Sequence, residues 1–395
     1  MRFIGLLAFF LFFFACDSFN IKQFSFGNGL PIVEIIVDNK DTAHFLIDTG
    51  SDICVIDSSF YFDKGYSHIA LDTISVTGGS GYALKNKVLY FGLDFFYNKN
   101  NYKNNIFYIA DLKKIIQDID GIIGGNFLQN KVLLIDYEKG KVEFSFNDSI
   151  LTPYAFNDSA NFKLYRKGSF SKTPHIEATL VFSKDTEQKG EYILDTGNWN
   201  DIHIWQSAAD SLSLVSLSKK KYKLVRQNGN ISGEHKGFII RADSLVSGDF
   251  LHISPIVYFD QKQNKDFVPR SSTHSTGLIG NDILSNYTIA LNYPERKFYY
   301  KKIKEARTKD FFYSGITVGK NINVGLIIDG LIHNSPADSA GIQIGDILIE
   351  ANGIKATKAN RSEIVKLLRT PGTVNLKLQR NDSVFEKQVP VKKLL

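Results

Sequence analysis

From about residue 22 to Ile303 the chain sets short apolar runs between polar punctuation. "IVEIIV", "HFLI", "VLLIDY", "KVEFSF" and "FYY" are separated by clusters of Gly, Asn, Asp and Lys. Runs this short, alternating or briefly apolar and bounded by turn residues, predict β-strands. Helical spacing is rare, and the stretches Ala110–Ile119 and Trp205–Leu212 are the best helix candidates. The pattern changes near Lys301–Lys309. Beyond it, "SPADSAGIQIGDILIEANG" predicts a short helix, a Gly turn and a strand, and "NRSEIVKLLRT" predicts a helix that Pro371 and Gly372 end.

The β-rich part repeats itself. "FLIDTGSDICVID" (Phe45–Asp57) returns as "YILDTGNWNDIHI" (Tyr192–Ile204). Each is followed, at a similar distance, by a second shared block, Gly121–Phe144 in the first half and Gly277–Tyr300 in the second. Aligned without gaps, these blocks match at Gly121/Gly277, Ile123/Ile279, Gly124/Gly280, Leu128/Leu284, Asn130/Asn286, Tyr137/Tyr293 and Lys141/Lys297. Motifs repeating in the same order predict two like units. A buried strand that ends in a carboxylate needs a reason. If the units pack about a pseudo-twofold axis, Asp48 and Asp195 meet on it. Two carboxyl groups that close cannot both ionise easily and hold one proton between them. The ionised one then takes a proton from water, and the protonated one donates to a carbonyl oxygen.

Composition narrows the picture without changing it. A length of 395 residues fits two or three domains, and 43% hydrophobic with 13% aromatic residues supplies real cores. The net charge of +6 is modest, and the clusters Lys219–Lys221 and Lys301–Lys304 read as solvated faces, so no nucleic-acid partner is expected. The two cysteines, Cys16 and Cys54, make no disulfide framework, and Cys54 reads as a small buried core residue. No His or Cys spacing suggests zinc, and neither a metal nor another cofactor is expected.

The two Asp-Thr-Gly motifs, with their later apolar-apolar-Gly segments at Ile122–Gly124 and Leu278–Gly280, resemble the two lobes of a pepsin- or retropepsin-type aspartic protease over residues 22–303. The resemblance implies a mainly β fold of two acid-protease β-barrel lobes, residues 22–150 and 151–303, related by a pseudo-twofold axis. It implies Asp48 and Asp195 as the catalytic dyad and Thr49 and Thr196 as threonines that grip the opposite lobe. The shared proton is that family's own known device and comes with it. Gly50 and Gly197 permit the tight turns, and Ser51 and Asn198 follow them; Ser51 is expected to donate to the Asp48 carboxylate. Asn198 departs from the usual Ser, Thr or Ala. Trp199 beside it is read as lining the cleft or as core. A flap over the substrate is expected in Ser75–Leu84, with Gly78, Gly79, Ser80 and Tyr82 at its tip. Arg226–Ile240 is the matching hairpin of the second repeat, either a second flap or a plain hairpin. One chain then carries one whole site and acts as a monomer on polypeptide substrates.

"YSGITV" followed by "GLIIDGLIHNSPADSAGIQIGDILIEANG" resembles a bacterial PDZ domain of the kind attached to proteases, over residues 310–393. This implies a small α+β domain that takes a peptide C-terminus at Tyr313, Ser314, Gly315 and Ile316, with Ser314 in place of an apolar residue. The alternative is a docking module with an unused groove. At the N-terminus, one Arg, the apolar run Phe3–Ala15 and then Cys16 resemble a bacterial lipoprotein signal over residues 1–16, with Phe13 in place of the usual Leu. That resemblance implies lipidation at Cys16 and a membrane-anchored place in the cell envelope. The sequence therefore points to an envelope aspartic endopeptidase. The alternative is a non-catalytic envelope peptide-binding lipoprotein with a degenerate cleft, which has no need of two facing carboxylates.

Overall fold

The structure is a computed structural model and describes residues 29–67, 70–77, 83–89, 92–114, 119–156, 158–165, 171–214, 222–226, 235–260, 275–303, 312–321, 324–357 and 359–395. The signal segment with Cys16 lies outside these residues. So do the flap candidates Gly78, Gly79, Ser80 and Tyr82, and the cluster Lys219–Lys221.

The first lobe contains β1 (Ile32–Val37), β2 (Asp41–Ile47), β3 (Cys54–Asp57), β4 (Ala70–Thr77), β5 (Ala83–Leu89), β6 (Leu93–Tyr97), β7 (Asn100–Asn105), β8 (Phe107–Ala110) and β9 (Gly121–Ile123). They form one sheet in the order β4-β5-β8-β3-β9-β2-β1-β6-β7. After β10 (Val132–Asp136), β11 (Lys141–Ser145) and β12 (Asp158–Asn161) comes the second lobe. It contains β13 (His175–Ser183), β14 (Thr186–Asp195), β15 (Ile202–Ile204), β16 (Tyr222–Arg226), β17 (His235–Arg241), β18 (Ser244–Ser247), β19 (Phe250–Ile253), β20 (Ile256–Asp260) and β21 (Gly277–Gly280). Its order is β16-β17-β20-β15-β21-β14-β13-β18-β19. The two orders are the same, strand for strand. Two like β lobes were expected from the repeat, and the mainly β, bilobal fold is the one the resemblance implied.

The lobes are joined by a third sheet, β11-β10-β22-β23-β12, where β22 is Tyr287–Asn292 and β23 is Lys297–Lys302. The antiparallel pair β10·β22 sets Leu134 opposite Ala290, the equivalent positions of the two blocks. Leu133 faces Leu291, and Ile135 faces Ile289. Residue i meeting j while j meets i is the signature of a twofold, so the axis passes between Leu134 and Ala290. β10 and β22 are buried at every position, as near-continuous apolar runs covered on both faces require.

One helix expectation holds, and the other lies partly outside the described residues. Gln206–Ser211 is helical, with Trp205 and Leu212 as its caps. In the other candidate only Leu112–Lys114 is described as helical, and it is a single 3-10 turn. Asp57 anchors its start. One carboxylate oxygen caps the helix Ser58–Asp63 through the N–H groups of Ser59 and Phe60, and the other accepts from Leu112 and Lys113 at 3.0 and 3.1 Å. A buried carboxylate with this many donors fixes the local chain more strongly than helical spacing does.

The C-terminal module contains β24 (Phe312–Tyr313), β25 (Ile316–Asn321), β26 (Gly325–Ile332), β27 (Ile347–Ala351), β28 (Ile354–Lys355), β29 (Gly372–Arg380) and β30 (Ser383–Lys393), with helices Pro336–Ser339 and Arg361–Leu367. It is the small α+β domain expected, with its own core around Val318, Leu326, Ile328, Leu348, Ile364 and Leu376. Arg380 grips buried Asp346 with two hydrogen bonds of 2.6 and 2.8 Å.

The twofold is broken at one buried pair. Tyr137 donates to the Asn281 side-chain oxygen across the lobes at 2.5 Å. The position equivalent to Asn281 is Gly125, which has no side chain to accept, and the buried hydroxyl of the symmetry mate Tyr293 has no partner among the described residues. Tyr137→Phe is expected to destabilise by about 1–2 kcal/mol, and Tyr293→Phe to be neutral or stabilising by up to about 1 kcal/mol. Urea unfolding of the two variants checks this; equal losses would contradict it.

Candidate active site

Asp48 follows the last residue of β2, and Asp195 is the last residue of β14. Each strand is flanked in parallel by the apolar-apolar-Gly strand of its own lobe. Leu46 lies opposite Ile122, and Asp195 opposite Gly280. The glycines there are required by close approach. A Cβ on Gly124 would sit 2.2 Å from the Ile53 oxygen, and one on Gly280 2.1 Å from the Asn200 oxygen. Each Asp-Thr-Gly turn is threaded past such a glycine.

The threonines hold the two turns together. Thr49 donates its hydroxyl to the Leu194 oxygen of the other lobe at 2.6 Å, and Thr196 donates to the Ile47 oxygen at 2.7 Å. In return the N–H of Thr49 donates to the Thr196 hydroxyl, and the N–H of Thr196 to the Thr49 hydroxyl, at 3.2 and 3.1 Å. Both threonines are wholly buried. The third residue of each motif completes the exchange. A Cβ on Gly50 would lie 2.3 Å from Cγ of Asp195, and one on Gly197 2.4 Å from Cγ of Asp48. Each glycine is therefore the floor on which the opposite carboxyl rests.

The two carboxyl groups are linked by a direct hydrogen bond. Burial pushes Asp48 up to about 6, while Asp195 and the N–H groups of Gly50 and Ser51 stabilise its anion. Asp195 is pushed well above the usual carboxylate range, first by burial and then by the Asp48 charge beside it. The N–H groups of Gly197 and Asn198 hold one Asp195 oxygen at 3.0 and 3.1 Å. With both carboxyls pushed upward by burial and by each other, the pair holds one proton and one negative charge between them.

Ser51 does not use its hydroxyl as expected, and Asn198 supports Asp195 through its N–H rather than its side chain. The Ser51 hydroxyl donates to the Ile53 oxygen at 2.8 Å instead of to Asp48; its backbone N–H makes the contact at the Asp48 end. The Asn198 side-chain oxygen accepts from the Asn200 N–H at 2.9 Å. Both side chains close local turns, which is why an amide replaces a hydroxyl here without touching the dyad.

Side chains two residues before each Asp share its sheet face. Leu46 joins a small cluster with Leu30, Val55, Leu112 and Ile122, against which Trp199 of the second lobe packs. Ile193 packs with Trp205 and Leu278 on the other side. Trp199 therefore bridges the lobes half-buried. Trp205 was legible only as a helix start, yet it is buried against Ile193, with its indole N–H on the Ser275 hydroxyl at 2.8 Å. Cys54 is fully buried, takes the Gly124 N–H on its sulfur, and burial pushes its thiol up to about 12. Among the described residues no three His, Cys, Asp or Glu side chains gather as a metal site.

The four residues expected to hold a peptide carboxylate lie at the edge of the C-terminal module. Tyr313 is buried in an apolar cluster shared with the second lobe. Ser314 is fully buried, donating its N–H to the Leu368 oxygen at 3.0 Å and accepting from the Ala337 N–H at 2.9 Å. Gly315 adopts a φ of 100° with no room for a side chain beside Ser335, and Ile316 enters the module's core.

Residues 305–379 match the family model for the PDZ domain. The C-terminal module is a PDZ domain. Within the chain, 85 residues are 36% identical to the tight junction protein ZO-3 of dog (Canis lupus familiaris), covering 20% of this chain. The match spans 10% of that relative's length. Among solved structures, an aspartic proteinase from Irpex lacteus aligns over 71% of this chain and 96% of its own, at 12% identity and a TM-score of 0.44.

Two outcomes follow from this geometry. Thr49→Val removes one donor and one acceptor without changing shape, leaving the Leu194 oxygen and the Thr196 N–H unpaired. It is expected to cost about 2–4 kcal/mol, as is Thr196→Val, with strong non-additivity in the double variant by denaturant unfolding. The second concerns pH. The folded-state value of Asp48 lies above the unfolded one, so ionising it costs folded stability. That cost is absent below about pH 4, grows as pH rises through about 6, and is full above. Asp48→Asn is expected to stabilise the fold by on the order of 3 kcal/mol at neutral pH and by nothing at pH 3, read from melting curves at both pH values.

Proposed function

We propose that the chain is an aspartic endopeptidase. What supports this reading above all is the buried pair Asp48–Asp195, carrying one proton and one negative charge across the lobe axis. In the reaction, the Asp48 carboxylate takes a proton from water as its oxygen attacks the scissile carbonyl carbon. Asp195 donates its proton to the carbonyl oxygen, giving a gem-diol. Proton transfer to the amide nitrogen, with return of a diol proton to the dyad, breaks the C–N bond and releases acid and amine. No covalent enzyme intermediate forms. The PDZ domain adds a peptide-binding module to the same chain. Anchoring through Cys16 at the cell envelope, with action on envelope polypeptides by a single chain, belongs to the same proposal.

The test is cleavage of a peptide library by the full chain between pH 3 and 8, beside Asp48→Asn and Asp195→Asn. Each single variant is expected to lose at least about 1,000-fold in kcat/KM, since the two carboxyls act as one unit. Activity is expected to fall on the acid side of about pH 6, where Asp48 becomes protonated and no base remains. Binding of peptides with no cleavage at any pH would overturn the endopeptidase and leave the envelope binding protein.

A further inference from the structure

The hairpin β16–β17 is the counterpart of β4–β5, which carries the expected flap, because both stand at the same end of the same strand order. Their surroundings differ. β4 pairs with β5 alone among the described residues, whereas β16 is hydrogen-bonded on both edges, to β17 and to β26 of the PDZ domain. Across this seam Leu224 lies opposite Ile332, Val225 opposite Leu331, and the His333 N–H donates to the Lys223 oxygen at 2.8 Å. An apolar plug backs it. Ile239, Ile256 and Leu224 of the lobe pack with Tyr313, Ile332, Leu394 and Leu395 of the PDZ domain. Arg241, at the end of β17, ties Leu395 to the lobe by donating to its oxygen at 3.1 Å.

We infer that the PDZ domain is a positioning part of the proteolytic unit: β26 holds the second-lobe hairpin in place beside the cleft, and substrate grip depends on Ile332 and its neighbours. A two-stranded hairpin alone is marginally stable in water, and a third strand with an apolar face fixes it. The PDZ domain supplies that strand. The edge it uses is the one away from β25, so β25 and the helix Arg361–Leu367 keep their own groove. This inference rests on the endopeptidase reading for its kinetic consequence, but its structural half does not.

The seam is tested in the full chain with Ile332→Ser, and with Leu224→Cys paired with Ile332→Cys, which oxidation locks. Fluorescein-labelled casein serves as substrate. Ile332→Ser is expected to speed amide exchange in Tyr222–Arg226 at least tenfold, with β2 and β14 unchanged. KM is expected to rise at least fivefold, with kcat and the acid limb of the pH profile as in the parent. The oxidised cysteine pair is expected to keep the parent KM, which also covers the case in which Ile332→Ser fails to fold. A faster-exchanging hairpin with unchanged KM, a loss in kcat at constant KM, or a raised KM in the oxidised pair would overturn the inference. The casein Kd, measured by anisotropy in an Asp48→Asn background, separates the two readings. If the parent cuts nothing yet Ile332→Ser weakens this binding fivefold, the endopeptidase falls and the positioning role stands; unchanged binding removes the positioning role.

Discussion

The site depends on one reciprocal contact, the exchange of hydrogen bonds between Thr49 and Thr196 across the lobe axis. Each hydroxyl donates to a carbonyl of the other lobe and accepts an N–H from the other threonine. All of these groups are buried, so a turn that moved away would leave unpaired donors and acceptors in the core. The exchange therefore sets how closely the turns approach, and with them Asp48 and Asp195. Gly50 and Gly197 complete the constraint, because any side chain at either position would displace the opposite carboxyl. The axis at Leu134 and Ala290 carries the same symmetry into the sheet below.

The dyad itself works against folding. Two buried carboxyls pushed upward in pKa cost the folded state free energy at neutral pH. The grip, the joint sheet and the continuous core that spans both lobes offset this. The symmetry is functional where it concerns the dyad and is relaxed elsewhere. Asn281 rewards Tyr137 with an acceptor, while Gly125 leaves Tyr293 without one. Lys172 explains the glycine, since a Cβ at position 125 would lie 2.6 Å from the Lys172 Cβ.

The repeat was legible because it rests on backbone demands that leave few choices of residue. Gly after Asp-Thr, and Gly after two apolar residues, are fixed by turns that nothing larger can enter. Strand runs such as "VLLIDY" were legible because burial on both faces leaves no polar alternation. The roles of Ser51 and Asn198 were not, because a side chain one bond from the dyad can equally close its own turn. The anchoring of Leu112–Lys114 by Asp57 was not legible either, because the two are distant in sequence. The packing beside the carboxylates was half-legible: period-two spacing puts Leu46 and Ile193 on the carboxylate face, but only folding brings Trp199 and Trp205 to them.

The seam between the second lobe and the PDZ domain had no sequence signal, and the reason is physical. Edge pairing between domains is made by backbone groups, which every residue carries, and the apolar residues behind it read as ordinary strand interior. Leu224 and Ile332 sit in apolar strand runs like those of core residues. What distinguishes them is topology. A lobe whose twin ends in the hairpin β4–β5 ends here in a hairpin with a further strand laid against it. An uncovered edge invites pairing with other chains, and this one is covered by a domain of the same chain, with Arg241 and Leu395 closing the far side. The covering domain is thereby built into the sheet of the second lobe rather than hung on a tether.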